Sequence, residues 1–531
     1  MKSVNTISST NVEDDSKENH HDTFTELQIS DDTGSSNVDS RHMFRMGKEQ
    51  QFNRIFRKST MIMFTSMIQG TWEVVLLANT AGLVNGGLAG LLWGYVWTCV
   101  GFIAIVMSLA EMSSMAPTNG GQYHWVSEFA PRKYQKFLSY LSGWMSVLSW
   151  QAGTASACFI LGTLPQAIIV AYTPSYVPQR WQGTLACFAA AGLHCLINTV
   201  FAEQLPRLQK LMIVPHGLGW IVVIVILWVL APHASAKDVF TSFTSNGGWE
   251  NMSISLMVGQ ITSVYMVILS DSAAHLSEEV KNASRSVPSA MLWSFFLNAI
   301  VGLIVLVSFL FAIPSVTDVL DPTKNTTGFA FIYVLQQATY RGCIPIFVIL
   351  LVQCVAGGVD CNCSTSRQIF AFARDGGFPF KNWLTTVKRK TVPQNAVILT
   401  SIFSAVISLV NLGSTAAYNA LISLQLLALM LTYCISIGSI FYQRLIGQGD
   451  KLPPAQWSLG RYGIWVNGAG FFYCAFIFFW SGWPSNSKFD PLTFNWASPM
   501  FGAVLVFSVV YYYTYGRKTY KAPVLLVKQF N

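Results

Sequence analysis

Charged residues are scarce in this chain of 531 residues: Asp, Glu, Lys and Arg make up 11%, whereas hydrophobic residues make up 52%. Soluble domains carry about 25% charged residues, so the composition excludes a soluble enzyme and a nucleic-acid-binding protein. The ten cysteines lie mostly inside apolar runs, which excludes a disulfide scaffold. We expect them to be buried thiols, because a free cysteine behaves as a small hydrophobic side chain.

The sequence also lacks motifs for catalysis or primary pumping. No paired-His motif, nucleophile elbow or phosphate-binding loop stands out. Cys361 and Cys363 have no second Cys pair or His nearby that would complete a zinc site. The sequence therefore predicts a protein that is not an enzyme, has no nucleotide-binding domain and needs neither a metal nor a cofactor.

The sequence does contain twelve apolar runs of about 20 residues, the length that spans a bilayer as a helix. Backbone groups in lipid must be hydrogen-bonded within the span, and the alternation typical of a membrane β-barrel does not appear. We predict an all-α integral membrane protein with twelve transmembrane helices. The predicted spans are residues 61–83, 88–110, 137–160, 182–202, 211–231, 252–275, 290–313, 343–365, 394–412, 417–441, 463–483 and 497–514.

The basic residues indicate an orientation for these spans. If the N-terminus lies inside, 28 of the 33 Lys and Arg residues fall in inward segments and 5 in outward loops. Because cytoplasmic loops carry an excess of Lys and Arg, this split predicts that both termini are cytoplasmic. If one span were missing or added, every later loop would change sides and the excess of Lys and Arg on the inner side would be lost.

The ends of the chain differ from its middle in composition. Residues 1–59 contain nine acids within the first 40 positions and few apolar residues, which predicts a disordered cytoplasmic tail. No basic start precedes an apolar core there, so a signal peptide is not expected. The predicted organisation is completed by a transport core at 60–441, spans 11 and 12 at 442–514 and a cytoplasmic C-terminal tail at 515–531.

Polar residues interrupt spans 1 and 6. In span 1, Gly70 lies among Ser, Gln and Thr residues, and Glu73 lies deepest of the intramembrane acids. Span 6 carries Tyr265 and Asp271, whereas Asp360 lies near the inner end of span 8. If the first ten spans form two inverted sets of five, the interrupted spans correspond in position, which points to a midplane substrate site. The alternative is structural: each acid pairs with a neighbour, and Gly70 lets another helix approach.

Three segments carry a resemblance to a known family: Glu111–Tyr123 after span 2, Asp271–Pro288 after span 6 and Arg367–Pro379 after span 8. Together they resemble the amino acid–polyamine–organocation permeases. The detail, which includes Thr71-Trp72-Glu73, is similar to the fungal amino-acid/choline transporter branch. The resemblance runs from about residue 60 to 515. It implies two inverted five-helix repeats with broken helices 1 and 6, followed by two further helices.

The resemblance also implies a site between the broken spans 1 and 6, with spans 3, 8 and 10 around it. A substrate carboxylate would meet the backbone N–H groups of Gln69, Gly70 and Thr71, and the amine would meet carbonyl groups. Trp72 stands where relatives often carry a short glycine-rich motif. This departure favours a ligand other than a simple α-amino acid.

An amine or quaternary ammonium group would suit the remaining residues. Glu73 would neutralise its charge, and the aromatic faces of Trp72, Trp150 and Tyr265 would attract it. Tyr265 aligns by spacing with the aromatic gate of similar permeases, six residues before Asp271, the last candidate contact. The alternative for these aromatic residues is helix packing or the interfacial belt.

The remaining predictions concern the coupling of transport to protons, the substrate and the cellular location. His216, early in span 5, is the candidate proton site, because an imidazole titrates near physiological pH; packing is the alternative. We predict proton symport by alternating access, with exchange and uniport left open.

Choline, 4-aminobutyrate, a polyamine, an α-amino acid and a secondary metabolite such as an alkaloid all remain possible substrates. A non-transporting nutrient sensor is the second hypothesis. The plasma membrane is the favoured location, and Asn325 is a candidate glycosylation site in an outward loop.

Overall fold

The computed structural model describes residues 34–173, 175–388, 391–412, 417–488, 490 and 494–525. This part of the chain contains helices and no β-strand. Eleven of the described helices are long and apolar enough to cross a membrane. The predicted all-α, multi-pass fold is thus confirmed. Predicted span 6 is not among the eleven, because its helix, Met252–Tyr265, has only 14 residues before it is interrupted.

The helices follow one another along the chain with short connections. The first half contains α1 Gly34–Arg45, α2 Lys58–Gln69, α3 Thr71–Leu77, α4 Thr80–Val84, α5 Gly87–Met115, α6 Gln122–Phe129, α7 Gln135–Tyr172, α8 Arg180–Val200, α9 Leu205–Leu230, α10 Ala236–Thr241, α11 Met252–Tyr265 and α12 Ser272–His275. The second half contains α13 Ala283–Phe311, α14 Val316–Leu320, α15 Ala330–Ala338, α16 Ile344–Arg374, α17 Lys381–Leu384, α18 Gln394–Ser408, α19 Ala417–Leu445, α20 Gly463–Ser481, α21 Ala497–Tyr511 and α22 Arg517–Thr519.

Span 1 is broken at Gly70, as predicted. This residue ends α2 and begins α3 in the left-handed conformation, with φ 46° and ψ 40°. Glycine adopts this conformation without the steric penalty that a Cβ brings. A single residue therefore redirects the helix and leaves a fresh helix start in mid-span.

Span 6 is broken over a longer stretch, also as predicted. Helix α11 ends at Tyr265, and the short α12 begins only at Ser272. Leu269, between them, has a φ of 75°. A non-glycine residue in this region costs on the order of 1–3 kcal/mol, so surrounding contacts must hold the unwound segment in place.

The broken helices lie at the centre of the bundle. In an 18-residue apolar stretch of span 1, 78% is buried inside the protein, and in α19 the share is 72%. In the corresponding stretches of α9 and α21 it is 22%. Helix α19 packs against α7 and α20, and α13 packs against α2, α3 and α5. The outer helices therefore present apolar faces to lipid, and the polar interruptions are enclosed.

The prediction that residues 1–59 are disordered is wrong for residues 34–59, whereas residues 1–33 lie outside the described part of the chain. Met43, Met46, Phe52 and Phe56 are buried, each with at most 3% of its surface exposed. The two carboxylate oxygens of Asp39 accept the backbone N–H groups of residues 282 and 283, at 2.8 and 2.9 Å. Apolar burial and this cap at the start of α13 outweigh the polar composition.

Candidate functional site

A small cavity of about 110 Å³ lies at the break in span 1. Its walls come from α2, α3, α7, α16 and α19, and from the unwound stretch after α11. Those helices belong to spans 1, 3, 6, 8 and 10, the set that the family resemblance implies. Of the predicted substrate contacts, Gln69, Gly70, Glu73 and Tyr265 line it.

Several residues that line this cavity have buried polar side-chain atoms without a hydrogen-bond partner among the described residues. These are both amide atoms of Gln69 and of Gln425, Oε2 of Glu73, Oε1 of Gln353 and Oγ of Ser156. A buried polar group left unsatisfied costs about 1–3 kcal/mol. Such a concentration of unsatisfied groups around one cavity is typical of a site that completes its hydrogen bonds with a polar ligand.

Glu73 is the charged residue of the cavity wall, and its two oxygens have different surroundings. Oε1 lies 2.7 Å from Nδ1 of His216 on α9 and 3.5 Å from the donating Nε2 of Gln353. Oε2 has no partner within the described chain and lies 3.5 Å from where a Cβ on Gly70 would stand. One oxygen is thus anchored by the protein, and the other is available at the helix break.

Trp72 and Thr71 do not line the cavity, although both were predicted as contacts. The Trp72 indole N–H donates to the backbone oxygen of His216 at 3.0 Å, and its ring packs against Gly219 on α9. The Thr71 methyl group faces Gly302 on α13. Both side chains fix α3 against its neighbouring helices.

Two of the three backbone N–H groups that were expected to bind a carboxylate have protein partners. The N–H of Gly70 donates to the oxygen of Ser66 at 3.0 Å, within the last turn of α2. The N–H of Thr71 donates to Oδ1 of Asn298 at 3.3 Å. This geometry does not favour a substrate carboxylate at Gly70 or Thr71.

Trp150 and Asp271 are both buried by contacts with other parts of the protein. Trp150 is fully buried and packs against Ile68 and Cys361, which form part of the cavity wall. Asp271 is fully buried, and its Oδ2 accepts the side-chain amide of Gln122 at 2.6 Å. Neither residue lines the cavity, so their predicted contact with substrate stays a prediction.

Gln353, Gln425 and Ser156 are the cavity residues that the sequence reasoning missed. Each interrupts an apolar run, in spans 8, 10 and 3 respectively. An uncharged amide or hydroxyl inside such a run is a weaker signal than a carboxylate, because it costs less to bury. Combined with the implied role of spans 3, 8 and 10, however, this signal could have identified them.

A second, larger cavity of about 490 Å³ adjoins the small one and shares Leu77 and Tyr265 with it. Its wall includes chain connections at 178–180 and 326–329 and residues 483 and 485. We call this cavity the vestibule. Tyr265 lies where the vestibule meets the small cavity, the position that an aromatic gate would occupy.

The opposite end of the protein is closed by ion pairs. The three segments that carry the family resemblance meet here, and we call this end the sealed face. Arg367 contacts Glu279 at 2.8 Å, and Arg374 contacts Glu278 at 2.8 Å. The ammonium group of Lys48, from the N-terminal segment, lies 2.9 Å from Asp375. The family-like segments therefore build a closure and not the cavity.

The stability of the sealed face depends on pH, because its buried carboxylates have lowered pKa values. Burial would raise the pKa of Glu278, but Arg374 and other donors lower it to about 2 from 4.5. Burial likewise opposes His124 and Arg45, which lower the pKa of Glu128 to about 2 from 4.5. Stabilisation from such groups is complete above their unfolded pKa and is lost as pH falls through the folded pKa.

We therefore expect the thermal midpoint of the purified chain to fall steadily below about pH 4.5, with each carboxylate contributing on the order of 3 kcal/mol. Arg374→Gln should make this acid dependence shallower, because it removes the cause of the lowered pKa at Glu278. Lys381→Gln, an exposed charge on the same face, is the control. Identical acid profiles for all three proteins would contradict the assignment.

Asn325 is poorly placed for glycosylation in the folded chain. Its side chain is 8% exposed, and its amide nitrogen donates to the oxygen of Val319 at 2.9 Å. Its amide oxygen accepts the hydroxyl of Thr327 at 2.7 Å. The glycosylation stays a prediction that this geometry does not favour.

Comparison with known proteins gives the class of this chain. The amino acid permease family matches residues 55–509, so the chain belongs to that family. Its members are multi-pass membrane transporters, in keeping with the eleven candidate spans and with a cavity among the helices of spans 1, 3, 6, 8 and 10.

Curated relatives cover nearly the whole chain. Amino-acid permease 2 of Neurospora crassa is 27% identical over 503 residues, which are 92% of this chain and 90% of the relative. An uncharacterized amino-acid permease of Schizosaccharomyces pombe is 27% identical over 517 residues, covering 93% and 90%. The choline transporter of Saccharomyces cerevisiae is 24% identical over 460 residues, covering 86% and 80%.

Proposed function

We propose that this permease is a secondary transporter of a small amine-bearing solute, with the cavity at Gly70 as its binding site. One observation carries the proposal: Oε2 of Glu73 is buried, has no partner among the described residues and belongs to the charged group of the cavity wall. A carboxylate in the membrane is costly, and Oε1 of Glu73 alone is satisfied, by His216 and Gln353. A solute ammonium group would supply a partner for Oε2.

The solute class follows from the polar groups around Glu73. The side-chain amides of Gln69, Gln353 and Gln425 both donate and accept hydrogen bonds, and the lining residues include no Lys, Arg or His. A ligand with a net positive charge therefore suits the site better than one that depends on a strong carboxylate contact. Choline, a polyamine or another organic amine fits this description. 4-Aminobutyrate and α-amino acids fit if their carboxylate accepts amide N–H groups.

Alternating access is supported by the asymmetry of the two ends. The vestibule leads to the cavity from one end, and the ion pairs of the sealed face close the other. The distribution of Lys and Arg assigns the connections in the vestibule wall to the outside of the membrane. It assigns the connections of the sealed face to the cytoplasm. We therefore propose an outward-facing state in the plasma membrane with both termini cytoplasmic.

Proton coupling is proposed to act through the contact between His216 and Glu73. Because Oε1 contacts the imidazole at 2.7 Å and Oε2 has no partner among the described residues, one carboxylate can meet a proton-carrying ring and a solute at the same time. Protonation of His216 changes the charge beside Glu73 without any movement of the solute. Symport is favoured because the two oxygens provide separate contacts.

Replacing His216 with Asn is expected to flatten the pH dependence of uptake, since an imidazole can exchange a proton and an amide cannot. Asn keeps a polar group near Glu73 but cannot take up a proton. Initial rates at several pH values in a permease-deficient host measure the effect. His233→Asn, on the α9–α10 connection, is the matched control. A pH profile of His216→Asn that matched the unmodified chain would remove His216 from coupling.

The substrate class is tested directly by uptake of labelled choline and labelled 4-aminobutyrate in a host that lacks its own permeases. We expect unlabelled organic cations to compete with the transported label and uncharged analogues of the same shape to fail. Flux in vesicles would also separate a transporter from a sensor. Competition by anions and not by cations would contradict the proposed role of Glu73.

A further inference from the structure

A third cavity, of about 1440 Å³, lies on the sealed face and is distinct from the proposed substrate site. It is formed by α1, the turn between α6 and α7, the end of α19 with the following loop, and residues 524 and 525. None of its lining residues lines the cavity at Gly70 or the vestibule. Ligand pockets usually measure about 300–1,000 Å³, so this one has room for a large ligand.

The charges on its wall are strongly unbalanced. Its cationic or titratable basic residues are Arg41, His42, Arg45, Arg132 and Lys451, whereas Glu128 is its acid. Glu128 already contacts Arg45 at 3.0 Å and His124 at 2.7 Å. Within the described residues, no ion pair involves the side chains of Arg41, Arg132 or Lys451. Three cations thus line one cavity without an ion-pair partner in the part of the chain that the structure describes.

Arg45 gives a second and independent indication of a ligand. The residue is 8% exposed, and its two terminal nitrogens donate to Glu128 and to the backbone oxygen of Met115. Its Nε is buried and has no partner among the described residues. The same excess of charge acts on His42: burial and the neighbouring Arg45 lower its pKa, and Asp39 only partly opposes them. An anion in the cavity would relieve this repulsion.

We propose that this cavity binds a phosphorylated anion that carries more than one phosphate group. Guanidinium groups match phosphate oxygens in a bidentate geometry, and several such contacts reinforce one another. The apolar part of the wall, which includes Phe129, Pro131 and Pro453, accommodates a carbon framework. A phosphoinositide headgroup and a soluble inositol phosphate share this chemistry, so they are two sources of one ligand class.

Binding would also act on the conformation of the transporter. The cationic residues come from α1, from the turn after α6 and from the loop after α19, and α1 is held to the sealed face by Arg45. A ligand that contacts all three favours the conformation in which they lie together. The site is therefore expected to stabilise the state with this face closed.

The test uses the full-length purified chain and two probes: fluorescent inositol trisphosphate in detergent, and phosphatidylcholine nanodiscs with or without phosphatidylinositol bisphosphate. The variant is Arg41→Gln/Arg132→Gln/Lys451→Gln. The control, Arg285→Gln/Lys381→Gln/Lys518→Gln, removes the same charge from exposed positions outside the cavity. Exposed substitutions of this kind leave folding nearly unchanged, which thermal unfolding without ligand verifies.

We expect the cavity variant to bind the probe at least about tenfold more weakly than the unmodified chain, since each charged contact contributes about one such factor, and the control variant to bind as the unmodified chain does. Binding of the soluble probe supports a free anion, and stabilisation seen only in nanodiscs containing the phosphoinositide supports a lipid headgroup. Equal loss in both variants, or no response to either probe, would overturn the site. Glu73→Gln should retain binding, which separates this result from the proposed transport function.

Discussion

Replacing Glu73 with Gln is expected to reduce uptake of a cationic solute by about 30- to 150-fold. This corresponds to about 2–3 kcal/mol, the contribution of a hydrogen bond to a charged group in a buried site. Gln keeps the size of the side chain and its contact with His216, but it removes the charge that Oε2 presents to the cavity. The effect should therefore lie in transport, with folding and surface delivery preserved.

Initial uptake rates, normalised to the amount of protein at the cell surface, measure this prediction. Glu203→Gln removes an exposed acid from the chain between α8 and α9 and should leave the rates unchanged. Glu73→Asp should have an intermediate effect. It keeps the charge, but the shorter side chain places the carboxylate farther from His216 and Gln353. If Glu73→Gln transported with unaltered kinetics, the carboxylate would not be the contact for the solute.

Replacing Arg367 with Gln is expected to destabilise the folded chain by about 3–5 kcal/mol, the usual cost of removing one partner of a buried ion pair. Arg367 and Glu279 have side chains that are 0% and 1% exposed, and Arg367 also donates to the oxygen of Thr391 at 3.3 Å. The substitution leaves the carboxylate of Glu279 buried without its cation. We expect most of the variant to be lost from the monodisperse fraction after detergent extraction.

A double variant distinguishes this cause from a general packing defect. Arg367→Met/Glu279→Met replaces both charges with apolar side chains, which is often neutral for stability, and should restore much of the folded fraction. Arg285→Gln, an exposed arginine on the same face, is the control. Size-exclusion profiles and thermal midpoints report the outcome. A double variant that was no more stable than the single one would show that the ion pair is not the source of the loss.

The architecture could be predicted because each of its signals is local. Apolar runs of fixed length give the spans, and a glycine among polar residues gives the break at Gly70. Glu73 could be assigned to the cavity because a carboxylate in mid-membrane must find a polar environment. These inferences need no knowledge of which helix lies beside which.

The assignment of neighbouring side chains could not be predicted in the same way. Successive residues on a helix point about 100° apart, so Trp72 faces α9 while Glu73 borders the cavity. The direction of the chain after the break decides which of the two meets the solute. The contacts of Asp271 could not be predicted for a related reason: it follows the unwound stretch after α11, and its side chain accepts the amide of Gln122 at 2.6 Å.

Composition was misleading for the N-terminal segment. Residues 34–59 are polar on average, but the apolar minority, including Met43, Met46, Phe52 and Phe56, is buried against the rest of the protein. An average over a tail hides a small set of anchors. Their burial depends on a surface that forms only when distant segments have folded.

The position of Lys48 makes this residue a natural reporter of the transport cycle. Its side chain is 2% exposed, and its ammonium group is paired with Asp375, so neither an amine-reactive reagent nor a modifying enzyme can reach it in the present conformation. In the proposed alternating-access cycle, access to the solute from the sealed face requires those contacts to part. Covalent labelling at this single nitrogen would then report the fraction of molecules in which the contact between Lys48 and Asp375 has parted.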